Sequence, residues 1–302
     1  MKPNFIIGGT VAAGTSFLSS SIIQHPEIYI PKETRPEPSF FYKSWEYSKG
    51  MRYYEDKYFK NCTIDHIAIG ERSSLYLHGG EKVAKRISEN LPNIKLIFIL
   101  KNPIDRAYSN YRFTALEGLE ELSFEDAIKK EEERTNLLGG RWSEIKPFSN
   151  VDRGYYHCQL ESYFKYFKKE QILILKSEDL AENPYDNFSK VFKFIGVDDT
   201  FLPELVQNFT SLNVKNLNIQ REMREYFSDR YYLIVEALRE EKDPIQYANT
   251  ELDIEKINIL KENMENSKID MSLEAREMLS EKFKGSNEKL RRFIDFDIAD
   301  WT

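Results

Sequence analysis

Short apolar runs recur along the chain, each closed by glycine, proline or charge. Phe5-Ile6-Ile7, Ile28-Tyr29-Ile30, Ile67-Ala68-Ile69, Lys95–Leu100 and Ile172–Leu175 read as strands. Lys95–Leu100 is nearly all apolar, as a central parallel strand needs to be. Between these runs the period lengthens to that of a helix. Phe17–Ile23 opens one helix, and Gly80–Leu91 forms another that Pro92 stops. Pro103 begins a third, and Ser123 with Asp126 caps the next. Tyr155–Phe167 is amphipathic, and Asn187–Ile195 ends on Gly196. Residues 42–62 predict short helices under a loop, residues 129–152 a charged surface excursion, and the chain from about Asn213 is mainly helical. Strands alternating with helices predict an α/β fold: a P-loop-type, doubly wound parallel sheet flanked by helices, with a mainly helical C-terminal region. We read residues 1–302 as a single domain, with an α/β core over 1–212 and a helical part over 213–302. Such sheets bind ligands beyond the carboxyl ends of their strands, on the loops after Ile7, Ile69, Leu100 and Leu175.

Composition narrows the function classes. Aromatic residues make up 14% of the 302, which excludes a disordered chain. A net charge of −7 argues against a broad nucleic-acid or anionic-membrane surface. Cys62 and Cys158 do not make a disulfide framework or a metal cluster. No apolar run approaches membrane-spanning length, and the chain enters its first strand without a leader, so the expected location is cytoplasmic.

The candidate chemistry begins at Gly8–Ser16 (G-G-T-V-A-A-G-T-S), a glycine-punctuated loop between a strand and a helix. Orphan N–H groups and the helix dipole make such a junction an anion site. From Gly9 the spacing is that of a Walker A loop, but Thr15 stands where a nucleoside-triphosphate site needs lysine. That argues against an ATPase or kinase and leaves a phosphate-type ligand held by backbone N–H groups and hydroxyls.

Taken with blocks further along, this loop resembles that of the sulfotransferases that use 3′-phosphoadenosine 5′-phosphosulfate (PAPS), especially bacterial and Golgi-type members. F-I-I-G-G-T-V-A-A-G-T-S-F-L is similar to the 5′-phosphosulfate loop, and the stretch through Phe40-Phe41 to one ending in K-E-x-x-F-F. G-E-R-S-S-L-Y is similar to E-K-T-P-x-Y, and K-L-I-F-I-L-K-N-P-I-D-R-A-Y-S to the 3′-phosphate block. The resemblance implies that Gly14, Thr15 and Ser16 hold the phosphosulfate and that Lys101 and Ser109 hold the 3′-phosphate. It also implies that Glu37, three residues before Phe40, is the base for the acceptor, with Glu33 as alternative. Arg72 takes the place of the family's active-site lysine. The implied reaction is in-line transfer of a sulfuryl group to a hydroxyl or amine of a small molecule or saccharide, which in principle requires no metal, with no nucleic-acid or membrane partner.

Two positions depart from the pattern. Ala12 stands where the loop normally carries Lys or Arg, and Lys101 replaces an arginine. Losing a contact like the first costs on the order of 10²–10³ in rate unless another cation replaces it. Lys32, Arg35 and Arg72 are the candidates. The alternative from another class is a non-catalytic nucleotide-binding or interaction protein on the same fold. Other residues read more simply: His25 as structural, His78 and His157 as bystanders that can be recruited as bases, and Tyr155 as a core aromatic. Arg106 reads either as a phosphate contact or as a helix-surface pair, and Lys284, Lys289, Arg291 and Arg292 as a solvated face.

Overall fold

The computed structural model describes residues 1–31, 37–206, 212–266 and 270–301. The chain divides into two compact units, residues 1–106 with 152–206 and 280–302, and residues 107–151 with 207–279.

The first unit is built on a five-stranded, all-parallel sheet: β1 (Phe5–Gly9), β2 (Ile28–Tyr29), β3 (Ala68–Arg72), β4 (Lys95–Leu100) and β5 (Ile172–Lys176), in the order β2-β3-β1-β4-β5. All the strands expected from the apolar runs are present. Side chains alternate across the sheet, so each face has its own core. Phe5, Ile7, Ile97 and Ile99 pack with Leu18 and Ile22 of helix α1 (Thr15–Ile22) and with Phe188, Val191 and Phe192. Ile6, Leu96, Phe98 and Leu100 pack on the other face with the Phe40-Phe41 pair, Tyr54, Val83 and Tyr163.

Several helices connect these strands. Residues 42–62 hold the expected short helices, Ser44–Tyr47 and α2 (Gly50–Tyr58), followed by α3 (Gly80–Asn90). Helix α4 (Pro103–Leu116) leaves the sheet after β4 and continues into the second unit. Helices α5 (Tyr156–Phe164), α6 (Ser177–Glu182) and α7 (Pro184–Ile195) complete the first unit, with Gly196 left-handed at the end of α7.

The sequence reading stops β3 short. It places Gly70-Glu71-Arg72 in a following loop, whereas the ladder runs on to Ile7 opposite Arg72. Gly70 makes this possible, because the Phe5 ring from β1 lies across it.

The second unit is helical, as expected of the region after Asn213, and adds a two-residue antiparallel ladder, Asn213–Val214 with Met264–Glu265. Its core joins Leu116, Met223, Phe227, Ile234, Ile257 and Leu260. The Ser123 side chain accepts from Asp126 N at 3.2 Å, as the capping pattern predicts. The charged stretch 129–152 is less superficial than its composition suggests, since Ser149 and Asn150 are fully buried and Glu131 accepts from Val151 N at 2.7 Å.

A methyl group at Gly70 would stand 2.4 Å from Phe5 Cζ. Gly70→Ala is therefore expected to destabilise the fold by about 1–3 kcal/mol, read as a lower denaturant midpoint with an unchanged slope. An unchanged midpoint would mean that β1 and β3 are not packed this closely.

Candidate active site

The loop after β1 is shaped for an anion. Ala12 and Gly14 are left-handed, with φ of 66° and 93°. Alternating backbone hands of this kind turn successive N–H groups toward one point. Gly14 is the N-cap of α1, no side chain caps that helix, and its first turn carries no acidic residue. The first-turn N–H groups and the positive end of the dipole are thus left for a ligand. Thr10 N donates to Ile99 O at 2.9 Å, which ties the loop to β4. On the other side, a methyl on Gly9 would stand 2.8 Å from Leu77 Cβ and 3.1 Å from Ser74 O, so the loop lies directly against the turn after β3. Thr15 is buried, Ser16 half-buried and Gly14 exposed.

That turn carries Glu37's partners. Ser73 N donates to Ile7 O at 2.9 Å and carries the β1–β3 ladder one step past Arg72. Arg72 Nη1 donates to Glu37 Oε1, and Ser74 donates to Glu37 Oε2 through its N–H (2.7 Å) and hydroxyl (2.8 Å). The two charged side chains are only 14% and 18% exposed. A carboxylate offers roughly four lone-pair sites, so three donors leave about one for an incoming proton. Glu37 and Arg72, assigned separately from the sequence, are thus one hydrogen-bonded pair beside the glycine loop. Lys43, which the sequence reading leaves without a role, donates to Glu37 O at 3.2 Å. Burial pushes its ammonium below the ordinary value, against the pull of Glu37, Glu46 and Glu71. Lys32, Glu33 and Arg35 lie outside the described residues.

Lys101 follows β4 and is half-buried. Its carbonyl accepts from Tyr156 OH at 2.9 Å. Asn102 organises the turn: its N–H donates to Glu178 Oε1 (2.9 Å), its Oδ1 accepts from Ile104 N (3.0 Å), and its Nδ2 donates to Asp300 O (3.2 Å). Burial raises the Glu178 carboxyl, opposed by the Asn102 N–H and by Lys176 and Lys101. Ser109 lies on α4, two turns beyond Pro103, half-buried and in the second unit. Arg106 is fully buried, which removes the helix-surface reading.

His25 is buried, with Nε2 3.0 Å from Asp198 O. His78 has Asp152 on Nε2 (2.8 Å) and Tyr42 on Nδ1 (3.2 Å). His157 has Cys158 on Nε2 (3.0 Å) and Ser286 on Nδ1 (2.7 Å). Both ring nitrogens of His78 and of His157 are thus engaged by neighbouring groups. The Tyr155 ring packs edge-on against Phe283, and Arg292 pairs with Glu161 at 2.8 Å on the surface. Sequence reasoning passed over Glu71, Ser74, Asn102 and Glu178. For Glu71 the missed signal is alternation: a strand carried two residues further puts it on the same face as Ile69.

Residues 2–231 match the sequence family described as "Sulfotransferase domain". The mouse "Bifunctional heparan sulfate N-deacetylase/N-sulfotransferase 4" is 29% identical over 202 residues, 65% of this chain and 22% of that protein. The human "Heparan sulfate glucosamine 3-O-sulfotransferase 3B1" is 29% identical over 195 residues, 65% of this chain and 46% of that protein. The chain thus spans about a fifth of the length of the first and under half of the second. A sulfotransferase crystal structure from Alicyclobacillus acidocaldarius superposes with a TM-score of 0.71 at 23% identity, covering 100% of this chain and 99% of that one, a likeness of fold.

If Lys101 meets a phosphate, Lys101→Ala should weaken calorimetric binding of 3′-phosphoadenosine 5′-phosphate by roughly ten- to a hundredfold, the usual worth of a charged hydrogen bond. Parental affinity would remove Lys101 from the site.

Proposed function

The chain belongs to the sulfotransferase family, and we propose that it transfers a sulfuryl group from PAPS to a hydroxyl or amine acceptor. The observation that carries this reading is the Glu37–Arg72–Ser74 cluster, set beside the uncapped N-terminus of α1. The uncapped helix end, with no acidic residue in its first turn, suits the 5′-phosphosulfate at Gly14, Thr15 and Ser16. Lys101, just beyond β4, would take the 3′-phosphate. PAPS, when bound, supplies the sulfuryl group. Glu37 accepts the proton that the acceptor loses on attack. Arg72 and the Ser74 N–H hold that carboxylate in place. Charge on the phosphosulfate is met by backbone N–H groups, with Arg72 the cation at the β3 edge of the loop, where Ala12 brings none.

The relatives' names cover both N- and O-sulfotransfer to heparan sulfate, and that supports a saccharide amine or hydroxyl as acceptor. A location in the cytoplasm belongs to the same reading. Among the described residues no helix is long and apolar enough to cross a membrane.

The deciding experiment compares calorimetric binding of 3′-phosphoadenosine 5′-phosphate and of ATP with Mg²⁺. It then measures turnover of Glu37→Gln with PAPS and a glucosamine oligosaccharide. Selective binding of the bisphosphate is expected, with kcat lowered about 10²–10⁴-fold in the variant, the range for losing a general base. Absent binding by folded protein would overturn the donor assignment and favour the non-catalytic alternative. Parental turnover in Glu37→Gln would overturn the base assignment alone.

A further inference from the structure

We propose that Glu71, a buried carboxylate outside the reacting cluster, is a positioning residue that fixes Glu37 through two hydroxyls and the backbone of residues 39–41. The inference rests on the reading of Glu37 as base. Glu71 is fully buried. Its Oε1 accepts from Tyr54 OH (2.6 Å) and Tyr76 OH (2.7 Å), and its Oε2 from Ser73 Oγ (2.8 Å).

Two of these hydroxyls also act as acceptors. Ser73 Oγ takes the Ser39 N–H at 2.8 Å, and Tyr76 OH takes the Phe41 N–H at 3.2 Å. Each hydroxyl has one proton. While it accepts from an amide, that proton is free to go only to Glu71, so the direction of every hydrogen bond is set. Two relays result: Ser39 N–H to Ser73 to Glu71, and Phe41 N–H to Tyr76 to Glu71.

The segment held this way begins two residues after Glu37. Ser39 is buried and left-handed at φ 44°, a conformation unfavourable for a non-glycine residue that persists only where partners hold it. Phe40 and Phe41 follow it into the core, where the Phe40 ring stacks on Tyr54 at 4.5 Å. The end of β3 therefore grips this segment with alternate residues. Glu71 and Ser73 hold its backbone, while Arg72 and Ser74 hold the Glu37 carboxylate.

The chemistry calls for a carboxylate at this position. Burying one costs several kcal/mol unless its oxygens are satisfied, and three hydroxyl donors satisfy these. A glutamine of the same shape would turn two N–H donors toward hydroxyls that are themselves donating. At least one relay would then have to reverse and release its amide.

The test is a double-mutant cycle between Glu71→Gln and Glu37→Gln. Turnover is read as 3′-phosphoadenosine 5′-phosphate formed from PAPS, with a glucosamine oligosaccharide or, without it, water as acceptor. Glu71→Gln is expected to lower kcat roughly ten- to a hundredfold, as misplaced reacting groups do. KM for PAPS and calorimetric affinity for the bisphosphate should stay within about twofold, because no donor contact is touched. The double variant should be no slower than Glu37→Gln alone. Ser73→Ala cuts one relay and leaves the carboxylate in place, so a smaller fall in kcat is expected. It carries the test if Glu71→Gln does not fold. Parental kcat in the folded variants, or a double variant slowed by the product of both single effects, would overturn the positioning role and leave Glu37 as base. Parental kcat in Glu37→Gln would overturn the base reading itself, and the positioning role with it.

Discussion

The parallel pairing of β3 with β1 is the constraint on which the site depends. Ile7 stands opposite Arg72, and Ser73 N donates to Ile7 O, so both strands end at one level. The chain after β1 becomes the glycine loop, and the chain after β3 becomes Ser73–Tyr76. The two must therefore lie side by side. Gly9 leaves room for that contact and Gly70 lets the ladder close, since a side chain at either would meet the neighbouring strand or turn. On the other side of β1, β4 delivers Lys101 to the same edge, with Glu178 after β5 holding the turn through Asn102. Parallel strands place all these ends on one edge, and a ligand beyond that edge can meet them together.

Charge at this edge is arranged in local clusters, whatever the net acidity. Glu37 is held by Arg72 and Ser74, Glu71 by three hydroxyls, and one oxygen of Glu178 by a backbone N–H. Burial raises the carboxyls of Glu71 and Glu178 and lowers the Lys43 ammonium. The glycine loop carries no charged side chain, so its attraction for an anion comes from backbone N–H groups and the α1 dipole. Arg72, at the end of the neighbouring strand, is held by the Glu37 carboxylate.

By itself, the sequence determined whatever follows from local pattern. A short, nearly continuous apolar run such as Lys95–Leu100, bounded by Pro92 and Pro103, reads as a buried strand, and the spacing of Gly9, Gly14 and Thr15 marks a strand-to-helix turn of Walker A spacing without its lysine. Glu37 and Arg72 were legible as candidates because each lies in a short motif. Their direct bond was not, since the two are 35 positions apart and meet only through the sheet. Glu71 was hidden for the same reason. In G-E-R-S-S it has the composition of a polar loop, and its burial depends on Tyr54, 17 residues earlier, and Tyr76, 5 later, closing over it. Local pattern reports which side chains seek water or the core, but a polar residue's partners come from distant segments, and only the packed sheet decides which of them it meets.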